Sequence, residues 1–190
     1  MNMKLSAELR ALNALDVSGL DVDEAVQGYL EAQLWTTRDD IWTAYAEADE
    51  GHYLELSKLV AERIPLDELD SHGECLDYFY SLDDIDGNYV EAVEAEIREF
   101  AATHPLAVRM YLAQRDCSAS HGEGSVSAHF GHDLLLTRDH HGVGFWDRGL
   151  GELGEYLTLC AGAIGGSVEI FDARLSDEGF HTDAAFLIAS

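Results

Sequence analysis

Basic residues are scarce in this chain: 11 lysines and arginines stand against 37 aspartates and glutamates in 190 residues, a formal charge of −26. A surface so short of positive charge repels nucleic acid and anionic membrane and attracts basic partners over a range set by salt. Direct nucleic-acid binding is excluded as the first expectation. Cysteine is equally sparse, and Cys75, Cys117 and Cys160 are odd in number, widely spaced and free of any CxxC. That pattern supports neither a disulfide framework nor a zinc site, and it suits a reducing cytoplasm. Long apolar runs are missing too. None approaches the ~20 residues of a membrane helix, and the opening MNMKLSAELRALNAL is amphipathic and broken by charge, so the expected location is the cytoplasm, with no membrane association. No HExxH or GxSxG occurs, and GLGELG lacks the lysine of a phosphate cradle. The expectation is therefore a protein that is not an enzyme and carries no metal or cofactor.

What is present is 47% hydrophobic, enough for a real core. Leu5, Leu9, Leu12 and Leu15 recur at helical spacing after a candidate Ser6 cap. Gly19 closes that piece, and Asp21 or Asp23 can cap a second helix whose stripe is Val22, Val26, Tyr29, Leu30 and Leu34, up to Trp35. Thr36 or Thr37 can cap a third, holding Ile41, Trp42, Tyr45, Tyr53, Leu56, Leu59 and Val60, which Pro65 stops. Tyr89, Val93, Ile97 and Phe100 mark a further helix, followed by Pro105 and the apolar piece LAVRMYLA.

Acids dominate residues 67–99, with Leu76, Tyr78, Phe79, Tyr80, Leu82 and Ile85 interleaved. The apolar share ties this segment to a core and argues against disorder. Within it, DDIDGN places Asp84, Asp86 and Asn88 at alternate positions, as in a calcium loop. Gly87 falls at position 4 rather than 6, and the twelfth residue is Ala95, so a tight turn capped by aspartates is the expected structure.

The densest stretch is 129–158, where histidines, acids, tryptophan and glycines crowd together. CSASHGEGSVSAH, just before and overlapping it, is small and polar and is expected to be a connector. HDLLLTR then scores as a strand, DHHG as a turn and VGFW as a returning strand. That hairpin places Phe145 on one face with Leu134, Leu136 and Arg138, and Trp146 on the other with Asp133, Leu135 and Thr137. Asp147 can cap a helix beginning near Gly149, with Leu150, Leu153, Leu157, Leu159 and Ile164 apolar, ended by Gly165 and Gly166. SVEIFDA and AAFLIAS are expected strands around the turn LSDEG. The expected fold class is α+β: a helical acidic region over 1–116 and a hairpin-helix-strand region with a small antiparallel sheet over 117–190, packed together as one domain.

GHDLLLTRDHHGVGFWDRGLGELGEYLT is similar to a signature of uncharacterised small acidic proteins of phages and mobile elements, close to GHDFWLTRNxHGAGFWDRGLG. The residues that carry the resemblance include His132, Asp133, Arg138, His141, Gly142, Phe145, Trp146, Asp147 and Arg148. Family members also carry a leading helix like VQGYLEAQLW and a middle piece like LDYFYSLDDI. The resemblance covers about half the chain, and residues 38–74 stand as an added acidic helical segment. The sequence departs from the pattern at Leu134 and Leu135, where an aromatic pair is usual, and at Asp139, where asparagine is usual. The departures speak against an aromatic base-stacking platform. The resemblance implies a mobile-element protein acting inside a bacterial host.

Charge and implied origin together lead to one functional expectation. The carboxylates stand in for phosphates and occupy the basic groove of a host nucleic-acid-binding protein, such as a restriction or CRISPR effector. Asp67, Glu68, Asp70, Asp77, Asp83, Asp84 and Asp86 are the candidate contact acids, and a homo-oligomer is compatible with the same surface. Two alternatives belong to other classes. One is a small metal-dependent hydrolase built on His132, Asp133, His141 and Asp147, although His140 and His141 would point oppositely on a strand. The other is an accessory protein whose charge serves only solubility.

Overall fold

The computed structural model describes residues 18–38, 75–78, 80–117, 124–172 and 187–189. Five α-helices are present among them: α1 (Val22–Thr36), α2 (Gly87–Thr103), α3 (Pro105–Gln114), α4 (Val126–Arg138) and α5 (Glu152–Gly162). Short 3-10 turns occupy Leu76–Tyr78, Leu82–Asp84 and Phe145–Asp147. Two three-residue strands, β1 (Ile170–Asp172) and β2 (Leu187–Ala189), pair antiparallel with Ile170 opposite Ala189. The fold is mostly helical, which overturns the α+β expectation: one two-stranded ribbon is the extent of the sheet among the described residues. The helices expected at 5–15 and 41–60, and the turn at LSDEG, lie outside the described residues. Among the described residues, no helix is long and apolar enough to cross a membrane.

The described residues divide into two compact units, with 18–29 and 91–166 in one and 30–38, 75–90 and 167–189 in the other. The first is built around α4. Phe130, Leu134, Leu135 and Leu136 are all inaccessible to solvent, and so is Asp133. A helix buried around most of its circumference, with its polar groups paired inward, belongs at a centre and not at a surface. Around α4 pack α3, α5 and the 145–147 turn.

The expected hairpin is thus absent. HDLLLTR is the second half of α4, and the part of the expected connector from Val126 onward is its first turn. Ser125 caps that helix, its hydroxyl accepting from the Ala128 amide at 3.1 Å. DHHG is a turn as expected, but it ends a helix. The His141 amide donates to the Leu136 carbonyl at 3.0 Å, and His140 sits at φ 58°, the left-handed position usually given to glycine or asparagine. The proposed facing also fails with the strands, because Leu134 and Leu135 are both buried on a helix while Trp146 stays 40% exposed. Asp147 accepts from the Gly144 amide at 2.9 Å and closes the 3-10 turn, whereas α5 begins at Glu152.

An aromatic cluster fills the space beside α4. Tyr111 meets Phe130 edge-on at 5.2 Å and Phe145 at 5.4 Å, and Phe100 reaches Phe130 at 5.8 Å. Each such pair adds about 0.5–1.5 kcal/mol beyond its buried area. Closer still is the approach of α4 to the first turns of α1. A Cβ on Gly131 would overlap the Ala25 carbonyl, and one on Gly28 would overlap the Ala128 carbonyl. Backbone meets backbone at both positions because AxxG occurs once in each helix.

The second unit is tied by a buried amide. Gln33 donates to the Val168 carbonyl at 2.8 Å and accepts from the Tyr89 hydroxyl at 2.8 Å. Leu30, Leu34, Leu76, Tyr80, Ile85 and Ile170 bury around these groups. Two of the three acids of DDIDGN, Asp84 and Asp86, bond to local groups. Asp84 accepts from the amide and the hydroxyl of Ser81 at 2.9 and 3.0 Å, and Asp86 accepts from the Asn88 amide at 2.9 Å at the start of α2. Asp86→Ala is expected to cost about 1 kcal/mol of stability, the usual value of such a cap, seen as a lower urea midpoint at unchanged slope.

Candidate functional site

The polar centre of the first unit is Asp133. It projects from the middle of α4 into a space where bare negative charge would cost several kcal/mol, so every lone-pair direction is filled by a donor. Arg148 grips Oδ1 through Nε and a terminal nitrogen, both at 2.8 Å. Arg115, just past the end of α3, reaches Oδ2 at 3.2 Å, and the Tyr111 hydroxyl donates to Oδ2 at 2.7 Å. His132 Nδ1 lies 3.8 Å from Oδ1. The carboxylate thereby fastens the end of α3 and the segment after the 145–147 turn to α4.

Burial by itself would push the Asp133 carboxyl upward. The nearby His132 imidazole, the hydrogen bonds and charge of Arg148 and the Tyr111 hydroxyl outweigh it and hold the group at about 2. Tyr111 moves the other way: burial and the adjacent Asp133 charge push its hydroxyl far up, so it remains a donor. His129 is lowered by burial and by Arg115, and the Cys117 thiol is raised by burial. Asp133 is consequently a fixed anion. Its low pKa and filled coordination make it a poor general base and a poor metal ligand.

Arg138 forms a second inward clasp. Its guanidinium is 6% exposed by residue, donates to the Gly165 and Gly166 carbonyls at 2.9 Å each and to the Tyr29 hydroxyl at 2.7 Å, and pairs with Glu96. Thr137 completes the arrangement, accepting from the Phe145 amide at 2.9 Å and donating to the Asp133 carbonyl at 2.6 Å. No family model, curated protein or solved structure matches this chain.

Of the signature residues, the structure buries Asp133, Arg138 and Phe145, half-buries Arg148 and leaves His141, Gly142, Trp146 and Asp147 exposed. His132 is half-buried beside Asp133. The hydrolase set of His132, Asp133, His141 and Asp147 is not gathered: among the described residues, no three His, Cys, Asp or Glu side chains are placed to share a metal ion. Of the candidate contact acids, Asp77 and Asp83 are exposed, Asp84 and Asp86 are half-buried caps, and Asp67, Glu68 and Asp70 lie outside the described residues. The sequence reading missed Tyr111 and Arg115. Their spacing of four at the end of α3 was the available signal, since it sets Arg115 at the cap one turn beyond Tyr111.

Proposed function

We propose that the protein is a non-enzymatic binding protein whose carboxylate exterior engages a basic surface of the kind that holds nucleic-acid phosphates. The carrying observation is where the charge goes. Arg115, Arg138 and Arg148 are turned inward onto Asp133, Glu96, Tyr29 and backbone carbonyls. Among exposed described residues, thirteen are aspartate or glutamate and three, Arg38, Arg98 and Arg109, are basic. Arg98 is paired with Glu94 at 2.7 Å. Among the described residues, three of the six arginines are thus held inward and the exposed charge is mostly carboxylate. In this reading the partner is a host restriction or CRISPR effector, met in the cytoplasm by the product of a phage or mobile element.

The test is displacement. Labelled duplex DNA bound to a purified effector of either class is titrated with the protein at rising salt. The expected result is competition with DNA and an affinity falling at least about tenfold between roughly 50 and 200 mM salt. Asp77→Asn with Asp83→Asn is expected to weaken binding several-fold while leaving the thermal midpoint unchanged, as exposed charges contribute little to folding. Binding indifferent to salt, or displacement of DNA by an uncharged control protein alone, would overturn the proposal.

A further inference from the structure

A groove of about 300 Å³ lies in the first unit, well apart in chemistry from the Asp133 clasp. Its floor is Phe100, Thr103, Ala163 and Ile164, and Glu96 and Glu99 stand along it. Cys160 and His104 also line it. Cys160 on α5 is a half-buried free thiol, and its Sγ lies 3.8 Å from His104 Nδ1. The Tyr156 hydroxyl, one helical turn before Cys160, is 3.1 Å from the same nitrogen.

His104 is held from three directions. It sits between α2 and α3, its amide donates to the Phe100 carbonyl at 2.9 Å, and its ring packs on Phe100 at 4.9 Å and edge-on to Tyr156 at 5.8 Å. A fixed imidazole nitrogen 3.8 Å from a thiol is placed to take up its proton as the sulfur attacks, the pairing that base-assisted thiol chemistry needs. The Tyr156 hydroxyl lies against the same imidazole nitrogen and helps to hold the ring beside the thiol, and the neighbouring Cys160 raises that hydroxyl above its ordinary value.

We propose that this groove is a thiol-modification site in which Cys160, with His104 as its base, exchanges with small cationic disulfides. The thiol proton passes to the lone pair of His104 Nδ1, and the Sγ electron pair attacks one sulfur of the disulfide. The S–S bond breaks, and the leaving thiolate takes the proton back from His104. One mixed disulfide and one free thiol result, with no other oxidant or reductant consumed. The cationic preference follows from Glu99 on the groove wall, since Glu96 is already paired with Arg138. The apolar lining admits a short alkyl chain and the Glu99 carboxylate receives its ammonium.

The full reduced chain supplies the test, with Cys75 and Cys117 as internal references. Cystamine is added at neutral pH, aliquots are quenched in acid and each cysteine is followed by peptide mass spectrometry. Cys160 is expected to form its mixed disulfide at least about tenfold faster than either reference. His104→Asn is expected to slow Cys160 by a similar factor and leave Cys75 and Cys117 unchanged. Glu99→Gln is expected to narrow the preference of Cys160 for cystamine over the dicarboxylate 3,3′-dithiodipropionate. If His104→Asn loses its helical circular dichroism, Tyr156→Phe takes its place, with a several-fold drop at Cys160 expected. Equal rates at the three cysteines, or a Cys160 rate untouched in the folded variant, would overturn the proposal.

Discussion

Asp133→Ala is expected to destabilise the protein by about 3–5 kcal/mol, the largest effect of any single substitution among the described residues. The lost contacts account for only part of that. Arg115 and Arg148 would be left facing each other in a space where the one carboxylate is fully buried, and Tyr111 would lose its acceptor. Urea denaturation followed by circular dichroism measures the loss, and a drop under about 1 kcal/mol would show that the clasp is dispensable.

Asp133→Asn separates charge from shape and adds a pH signature. The folded carboxyl lies at about 2 against 3.8 in the unfolded chain, a depression that stabilises the folded state. Its contribution of about 2 kcal/mol is fully present above the unfolded value and is lost as pH falls through about 2. The stability gap between the native protein and Asp133→Asn is therefore expected to be constant from neutral pH to about 5 and to shrink below about 4. A gap that stays level across that acid range would place the aspartate's worth in packing and not in charge.

Gly131→Ala is expected to cost about 3 kcal/mol or more, above the usual range for an added methyl in a packed core. The new Cβ would meet the Ala25 carbonyl oxygen and the Tyr29 amide, both backbone, which cannot rotate aside as a side chain can. Only separation of α1 from α4 relieves the overlap. Helix propensity pulls the opposite way, since alanine is the better helix former by about 1 kcal/mol. A stabilised Gly131→Ala would mean that the two helices do not approach this closely in solution.

The sequence revealed the amphipathic helices and concealed the central one. Val26, Tyr29, Leu30 and Leu34 repeat at the helical period because α1 has a solvent side, and Val93, Ile97 and Phe100 do the same for α2. Leu134, Leu135 and Leu136 show no period because α4 is enclosed. A short unbroken apolar run of this kind fits a buried strand equally well. Ser125 and the AxxG spacing of Ala128 and Gly131 were the signs that a helix had already begun. The same enclosure hid the clasp. Asp133, Arg138 and Arg148 are visible in the signature, but charged residues are expected at the surface, and only coordinates show that the acid fastens segments on either side of it. Asp86 as a cap was legible because capping is local, whereas the meeting of Cys160 with His104 joins residues that no spacing rule connects.

The close crossing of α1 and α4 has a bearing on how the molecule comes to be made. Its two halves lie about a hundred residues apart in the chain, so closing that loop forfeits much entropy before any contact repays it. On the ribosome, Ala25 and Gly28 emerge long before Ala128 and Gly131, and during that interval the first turns of α1 have no seat. Synthesis of the latter part of the chain thereby sets the earliest moment at which its beginning can become native, and products cut short before α4 are obvious substrates for proteolysis.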